Sequence, residues 1–584
     1  MKRILLAGAV AVAGLLRAQD EVSIAHEANG RAIATLHAFF ATGADEPGGL
    51  TFVRIDTHNV DSVAHTCAVE VATRHWDRGD VWVSHRMQLG PQERGRVFLP
   101  VPTPMLIGEV RLVVDGTAEI AHANPSNPGG AAVLTVLSRP DLEVDALPVV
   151  RALPTSFKEL SRLVPCPADD LPTDWRMFTG FHAVLVDGRA AVAEGVQEAL
   201  RRYVFAGGTV LVAHGQRMAA GSLRSLANGA PVAMVAHGLG QAVFVGSLGG
   251  DTSSMRELVD RLAPMGVGPL PVASAPQQVQ PVPGIGQVRV TVFLSIILVF
   301  AIAVGPVNLL WLRRRRRPLL LLITVPALGF GTTAVILAYG LFHDGFGVRG
   351  TVTSWSYVDQ QRHEAVAIAA RTLFSGLAPG SLTMGGDAIL LAPRACDRDR
   401  LDRWHFEPGL QRLDGGALPS RVPTPLISVQ QALVRQRLVV RFGDQAAEVL
   451  ADGGLQPIGT VVLRDHDGSL WCGEAPTLRR VDAAALQTAL TALQRDGSSL
   501  AVAPQQQPVR SRRSRRYPIE VEDASTGPSD IGVLGARLFA ALAPGEFLTR
   551  TARAPWLDEH GLDVDYDQQL HFVRGRLSEE DCLR

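Results

Sequence analysis

"GPVNLLWLRRRRRPLLLLITVPALGFG", residues 305–331, sets five consecutive arginines between two apolar stretches. Such a block cannot enter an apolar core, because each unpaired buried cation costs far more than its stem returns in packing. Upstream, residues 290–312 are almost wholly apolar, and residues 319–342 form a second such run. At roughly 1.5 Å per helical residue, each run crosses a hydrocarbon core of about 30 Å. Only residues 313–318 link them. Two transmembrane helices, over 288–312 and 319–342, therefore form a tight hairpin. The positive-inside rule puts Arg313, Arg314, Arg315, Arg316 and Arg317 in the cytoplasm and both long flanks outside. A buried soluble hairpin is the competing reading, but it needs two uncharged runs of this length within one core.

Inside the spans, Pro306 removes a backbone hydrogen bond and kinks the first helix. Asn308 needs a partner in lipid. Thr324 across the hairpin, or a carbonyl freed by Pro306, supplies one. Neither span carries an acidic residue, which favours hairpin packing over transport as the role of Pro306 and Asn308.

Residues 1–18 read as a signal peptide. Lys2 and Arg3 precede a short apolar run that ends near Ala18. Leu16 and Arg17 make a poor cleavage site, so an uncleaved anchor is the alternative; it also puts the N-terminus inside. The net charge is −1, so no basic field draws the chain to nucleic acid. Lysine occurs only at Lys2 and Lys158. The five cysteines are scattered and never form a CxxC pair. They suggest neither a zinc site nor a disulfide framework, and no cofactor is implied.

The outer parts differ from one another. Residues 20–128 show short alternating runs, "LTFVRIDTHN", "HTCAVEVATRH", "RGRVFLPVP" and "GEVRLVVDG", which predict an immunoglobulin-like β-sandwich. From 129 to 268 the rhythm becomes that of a parallel α/β sheet. "AVLTVLS", "FHAVLVDG" and "GGTVLVAHG" are apolar strands, "QAVFVGS" adds another, and "SSMRELVDRLAPM" predicts a closing helix. Between two of the strands, Val192, Val196, Leu200 and Val204 recur on one helical face. Residues 269–287 are a Pro/Gln-rich linker. Residues 343–584 read as a β-rich domain with helices at "DAAALQTALTALQRD" and "SDIGVLGARLFAALAPG". Residues 465–468 predict a hairpin turn, followed by an exposed edge. Residues 503–518 are a basic low-complexity loop. It lies outside in this topology, where anionic lipid or envelope polymer would attract it.

The α/β segment resembles the class I glutamine amidotransferase-like fold, a flavodoxin-like arrangement, in "DWRMFTGFHAVLVDG" and "YVFAGGTVLVAHGQR". In active members a nucleophilic cysteine stands at a tight elbow after the strand, followed by a small residue. The resemblance lays Ala213 on that position, where no thioester can form. No His-x-Glu pair lies in the segment; His405 and Glu407 lie beyond the hairpin. His214 at the strand end, with Asp187 nearby, is the weak alternative site, and Cys166 is wrongly placed to substitute.

The whole layout resembles a group of uncharacterised bacterial membrane proteins that share a Gly-Pro-Val-Asn turn, a run of arginines and a Val/Ile-Pro-Ala motif. The resemblance implies a multidomain α+β membrane protein: N-terminal β-sandwich, flavodoxin-like α/β domain, two-helix transmembrane hairpin and C-terminal β-rich domain. It implies the bacterial cytoplasmic membrane, with most of the chain extracytoplasmic. The implied partners are the lipid bilayer and envelope proteins, including MoxR-type ATPase or von Willebrand A systems, with no nucleic acid. Two functions stay open: a non-enzymatic envelope scaffold or binding protein, and a membrane-bound hydrolase or amidotransferase-like enzyme acting on an envelope substrate.

Overall fold

The alternating stretches become strands almost at the residues where alternation starts and stops. Leu50–Asn59, His65–His75 and Arg94–Pro102 are strands whose inward residues fill a shared core. The computed structural model describes residues 21–28, 31–41, 49–75, 79–103, 106–122, 132–138, 162–227, 233–246, 282–283, 290–315, 318–391, 402–407, 409–414, 418–450, 454–499, 537–558 and 560–583. The signal segment, the 253–265 helix, nearly all of the linker, Arg316, Arg317, the basic 503–518 loop and the start of the last helix lie outside these residues.

The described chain is mostly β. Strands Glu21–Ala28, Arg31–Ala41, Leu50–Asn59 and Arg94–Pro102 make a four-stranded antiparallel sheet. Facing it is a seven-stranded sheet, and here the chain departs from the sequence boundaries. Four of its strands come from residues 65–121. The other three, Ser381–Gly385, Asp402–Glu407 and Leu410–Asp414, come from beyond the apolar helices. Asp402–Glu407 runs parallel to Gly79–Leu89 and hydrogen-bonds to it, and Ser84 Oγ meets His405 Nδ1 at 2.7 Å. Residues 343–584 are therefore not one spatial unit. Pairing between such distant segments leaves no local pattern in either of them.

A six-stranded sheet follows, with Arg162–Cys166, Ala132–Val136, Ala183–Asp187, Thr209–Ala213, Gly240–Phe244 and Ala233–His237 in spatial order. All neighbours are parallel except the last pair. The central strands are buried on both faces, which is why they read as continuous apolar runs. Helix Glu194–Phe205 buries Val196, Leu200 and Val204. It ends where Gly207 takes φ +119°, a left-handed conformation open to glycine.

The remaining strands of 348–583 form a twelve-stranded sheet around the long neighbours Val348–Asp359 and Val564–Arg576. Residues 465–468 form the expected turn, with Gly468 N–H donating to Asp465 O at 2.9 Å. The expected exposed edge is not one. Strand Thr477–Arg480 is paired on both sides, because Ala446–Leu450 returns to cover it.

The apolar segments are helices Val290–Ile302 and Asn308–Arg314, joined by a π-helical turn Ala303–Val307 around Pro306, and then Leu321–Asp344. Among the described residues one run, Phe293–Arg314, is long and apolar enough to cross a membrane, and Leu321–Ile336 is a shorter apolar helix. Leu298, Val299, Leu310, Leu322 and Ile323 are exposed. Asn308 is buried, and its Nδ2 donates to Thr324 Oγ1 at 2.9 Å.

Candidate functional site

The parallel sheet passes from its first strand, Ala132–Val136, to one neighbour and then crosses back to the other side. That reversal makes a topological switch point, and ligands of open α/β sheets bind beyond the carboxyl ends of the strands there. Ser138, Asp187, Arg189 and His214 lie at those ends. Ser138 follows the first strand, Asp187 ends the third in chain order, and His214 follows the fourth.

Asp187 is fully buried, and every contact around it favours the carboxylate. The Ser138 hydroxyl donates to Oδ2, Arg189 N–H donates to Oδ1 at 3.1 Å, and Arg189 Nε donates to both oxygens at 3.0 and 3.1 Å. Burial alone would raise its pKa. The hydrogen bonds and the guanidinium outweigh burial and hold the carboxyl below the usual range. His214 Nδ1 sits 3.3 Å from Asp187 Oδ1, outside hydrogen-bond alignment.

His214 has φ 50° and ψ 43°, a left-handed conformation that costs a residue bearing a Cβ about 1 kcal/mol or more. The turn's left-handed apex is thus His214, followed by Gly215, and stands one residue beyond Ala213. Ala213 is the fully buried last residue of its strand. The shift follows from where the ladder ends. Asp187 and Ala213 are register partners, and Gly188 N–H still donates to Ala213 O at 2.7 Å. Neither Ala213 nor His214 is a thiol.

Sequence reasoning named Asp187 and His214, and the fold brings them together. It missed Ser138 and Arg189. The available signal was positional: "AVLTVLS" ends on a hydroxyl at the same sheet edge, and "VDGR" places a cation two residues after the aspartate. The cluster is not a serine triad, which needs the hydroxyl on the imidazole and the imidazole on the carboxylate. Here the hydroxyl goes directly to the carboxylate, so the histidine receives no proton from it.

The other residues that could suggest chemistry are committed elsewhere. Cys166 is buried, and burial pushes its thiol up to about 12, far from the thiolate range of reactive cysteines. His405 stands between Ser84 and Asp414. Among the described residues no group of three His, Cys, Asp or Glu could hold a metal.

A polar junction ties the α/β unit to the large sheet. Arg201 donates to Glu198 and Glu364, each at 2.7 Å, and its Nη1 lies 3.2 Å from His237 Nε2. Burial, and then Arg362, Arg201 and Arg576, push His237 down to about 3. Arg537 Nη1 donates to Gly207 O at 2.9 Å. A cavity of about 380 Å³ lies beside this junction, lined in part by Gln241, Tyr357, Glu546 and Arg574. Arg574 fills much of its bonding capacity on the carbonyls of Arg537, Leu538, Ala540 and Ala541.

No protein-family model matches the chain, and no curated protein matches it. Among solved structures, it is similar to a cycloisomaltooligosaccharide glucanotransferase of Paenibacillus sp., solved with cycloisomaltoheptaose. That match has 13% identity and a TM-score of 0.14, and covers 30% of this chain and 27% of that one. A likeness that slight carries no argument about fold or activity.

Proposed function

We propose that this chain is a non-enzymatic protein of the bacterial cytoplasmic membrane, anchored by a two-helix hairpin, whose outer domains bind or scaffold envelope proteins. The reading includes an uncleaved or cleaved N-terminal signal, an immunoglobulin-like sandwich and a degenerate amidotransferase-like unit. MoxR-type ATPase or von Willebrand A systems are the partners that its layout suggests.

One observation carries the topology. Strand Gly79–Leu89, before the apolar helices, and strand Asp402–Glu407, after them, lie side by side in one sheet. Two flanks that share a sheet occupy the same side of any bilayer, so the segment between them crosses an even number of times. The bond between Asn308 and Thr324 supports a paired hairpin, since it satisfies two polar groups within apolar surroundings. The non-enzymatic reading is supported by an elbow without a thiol and by a serine hydroxyl committed to Asp187.

Reporter fusions after Ser274 and after Gly345 test the anchor: both must report an outside location, and a cytoplasmic signal from either refutes it. Affinity purification of the solubilised full-length protein tests the scaffold. Defined protein partners support it, while a lone protein carrying glycan or peptide ligands favours the second reading. That second reading, an envelope hydrolase, rests on the Asp187–His214 approach and the strained backbone at His214. Loss of complementation by a fully abundant His214→Ala protein would overturn the reading of this domain as inert.

A further inference from the structure

We propose that three outer loop tips, carrying Phe346, Leu377 and Val422, form an apolar collar that inserts into the outer-leaflet interface of the bilayer. The proposal rests on the membrane anchor above and adds a second, peripheral contact with the same lipid.

The three side chains are 48%, 59% and 45% exposed, and hydrogen bonds draw their loops to the end of the second apolar helix. Phe346 is two residues beyond Asp344, the last residue of that helix. Gly376 N–H donates to Gly347 O at 3.0 Å. The approach is so close that a Cβ on Gly376 would overlap Gly345 O. The 420–423 turn is tied to the same point, because Arg421 N–H donates to Ser375 O at 2.7 Å and Ser420 Oγ donates to Gly376 O at 2.7 Å. These hydrogen bonds tie the three tips together beside the helix end.

Helix length sets the depth of that end. Leu321–Asp344 has 24 residues, or roughly 36 Å at 1.5 Å per residue. The hydrocarbon core is about 30 Å thick. With the arginine turn at the cytoplasmic boundary, the helix ends among the outer headgroups, and Phe346 lies at that depth.

Composition fits this occupant better than a protein partner. The 376–380 loop reads Gly-Leu-Ala-Pro-Gly, and the 420–423 turn adds one charge, Arg421, beside Val422 and Pro423. An arginine at this depth extends its stem along apolar surface and its guanidinium toward phosphate. The next charge above the collar on the strand that leaves the helix, Arg349, is already paired with Asp567.

The test uses the full-length wild-type protein in phosphatidylethanolamine–phosphatidylglycerol vesicles doped with a phospholipid that carries a diazirine on its upper acyl chain. After irradiation, adducts are mapped by peptide mass spectrometry. Val63, an exposed apolar side chain of the 60–64 loop, sets the background. Adducts on the hairpin and on the peptides bearing Phe346, Leu377 and Val422, several-fold above Val63, are expected. Adducts on the hairpin with the three tips at background would overturn the collar and leave the anchor intact. A hairpin without adducts would reject the anchor, and the collar with it.

Discussion

Acid should unfold the folded body that surrounds the sheets above the pH at which carboxylates titrate. Four histidines are buried, and at each of them burial is the largest cause that lowers the pKa. Burial holds His182 down to about 4; burial and then Arg371 hold His571 down to about 4 and His560 down to about 3; burial and then Arg362 hold His237 down to about 3. At His560 the geometry says the same: Arg371 Nη1 lies 2.7 Å from Nε2, so that nitrogen must accept and the ring must be neutral. Above pH 6.5 these rings are neutral in the folded and unfolded chain alike, and stability is unaffected. Below 6.5 the unfolded chain takes up protons that the folded chain refuses, so stability falls until the folded pKa is reached. At pH 5 each histidine contributes a loss of about 2 kcal/mol. Together they remove about 8 kcal/mol, against a typical domain stability of about 5–15 kcal/mol. His65 works in the opposite direction. Asp115 and Asp61 raise its pKa, so its contribution is complete below 6.5 and is lost as pH rises through the raised value. Its carboxylate partners are solvent-exposed, so it is too weak to cancel four buried rings. Urea unfolding of the purified full-length protein, followed by tryptophan fluorescence at pH 7.5, 6.0 and 5.0, should show a midpoint that drops steeply. His560→Gln keeps an acceptor for Arg371 and should remove about a quarter of the pH dependence. A midpoint constant from 7.5 to 5.0, or a full slope in His560→Gln, would refute the argument.

Other changes probe separate parts. Gly240→Ala puts a Cβ against the carbonyl oxygens of Val204 and Gly208, which are backbone and cannot swing away; a loss of about 2 kcal/mol or more is expected in the same unfolding assay. Asn308→Ala removes the bond to Thr324 and should weaken helix pairing by about 0.6 kcal/mol, seen as reduced disulfide trapping between cysteines placed at facing hairpin positions. Neither Ala213→Cys nor His214→Cys should yield glutaminase activity, because a thiol there has no aligned base; ammonia release from glutamine would contradict this. Replacing Arg313–Arg317 with Asn or Gln should loosen orientation, read by the fusions after Ser274 and Gly345.

Local structure was legible because each element carries its own period. The alternation of "HTCAVEVATRH" and the fourfold spacing of Val196, Leu200 and Val204 mark faces that the core fills. Thr324 was one of the two partners that the sequence offered Asn308, since antiparallel helices bring positions on either side of the short 313–318 link level. The candidate site was half legible. Asp187 and His214 stand out by type, while Ser138 and Arg189 matter only through the sheet order that gathers them. The left-handed turn at His214 was not legible, because strand ends are set by ladder hydrogen bonds, which composition does not mark. The adoption of strands Ser381–Gly385, Asp402–Glu407 and Leu410–Asp414 into the seven-stranded sheet was illegible: those strands look like any others, and their partner lies about three hundred residues away.

In the hairpin topology proposed above, that adoption has a consequence for biogenesis. A nascent chain that has delivered strand Gly79–Leu89 to the exterior presents a bare row of amides and carbonyls, a template for wrong pairing. Its proper neighbour is synthesised only after both apolar helices, and it reaches that edge only if the second helix returns the chain to the same side. A hairpin threaded once instead of twice would strand residues 402–407 in the cytoplasm and leave the edge open for quality-control proteases. In that proposed topology, closure of the sheet proofreads the threading of the apolar hairpin that precedes it.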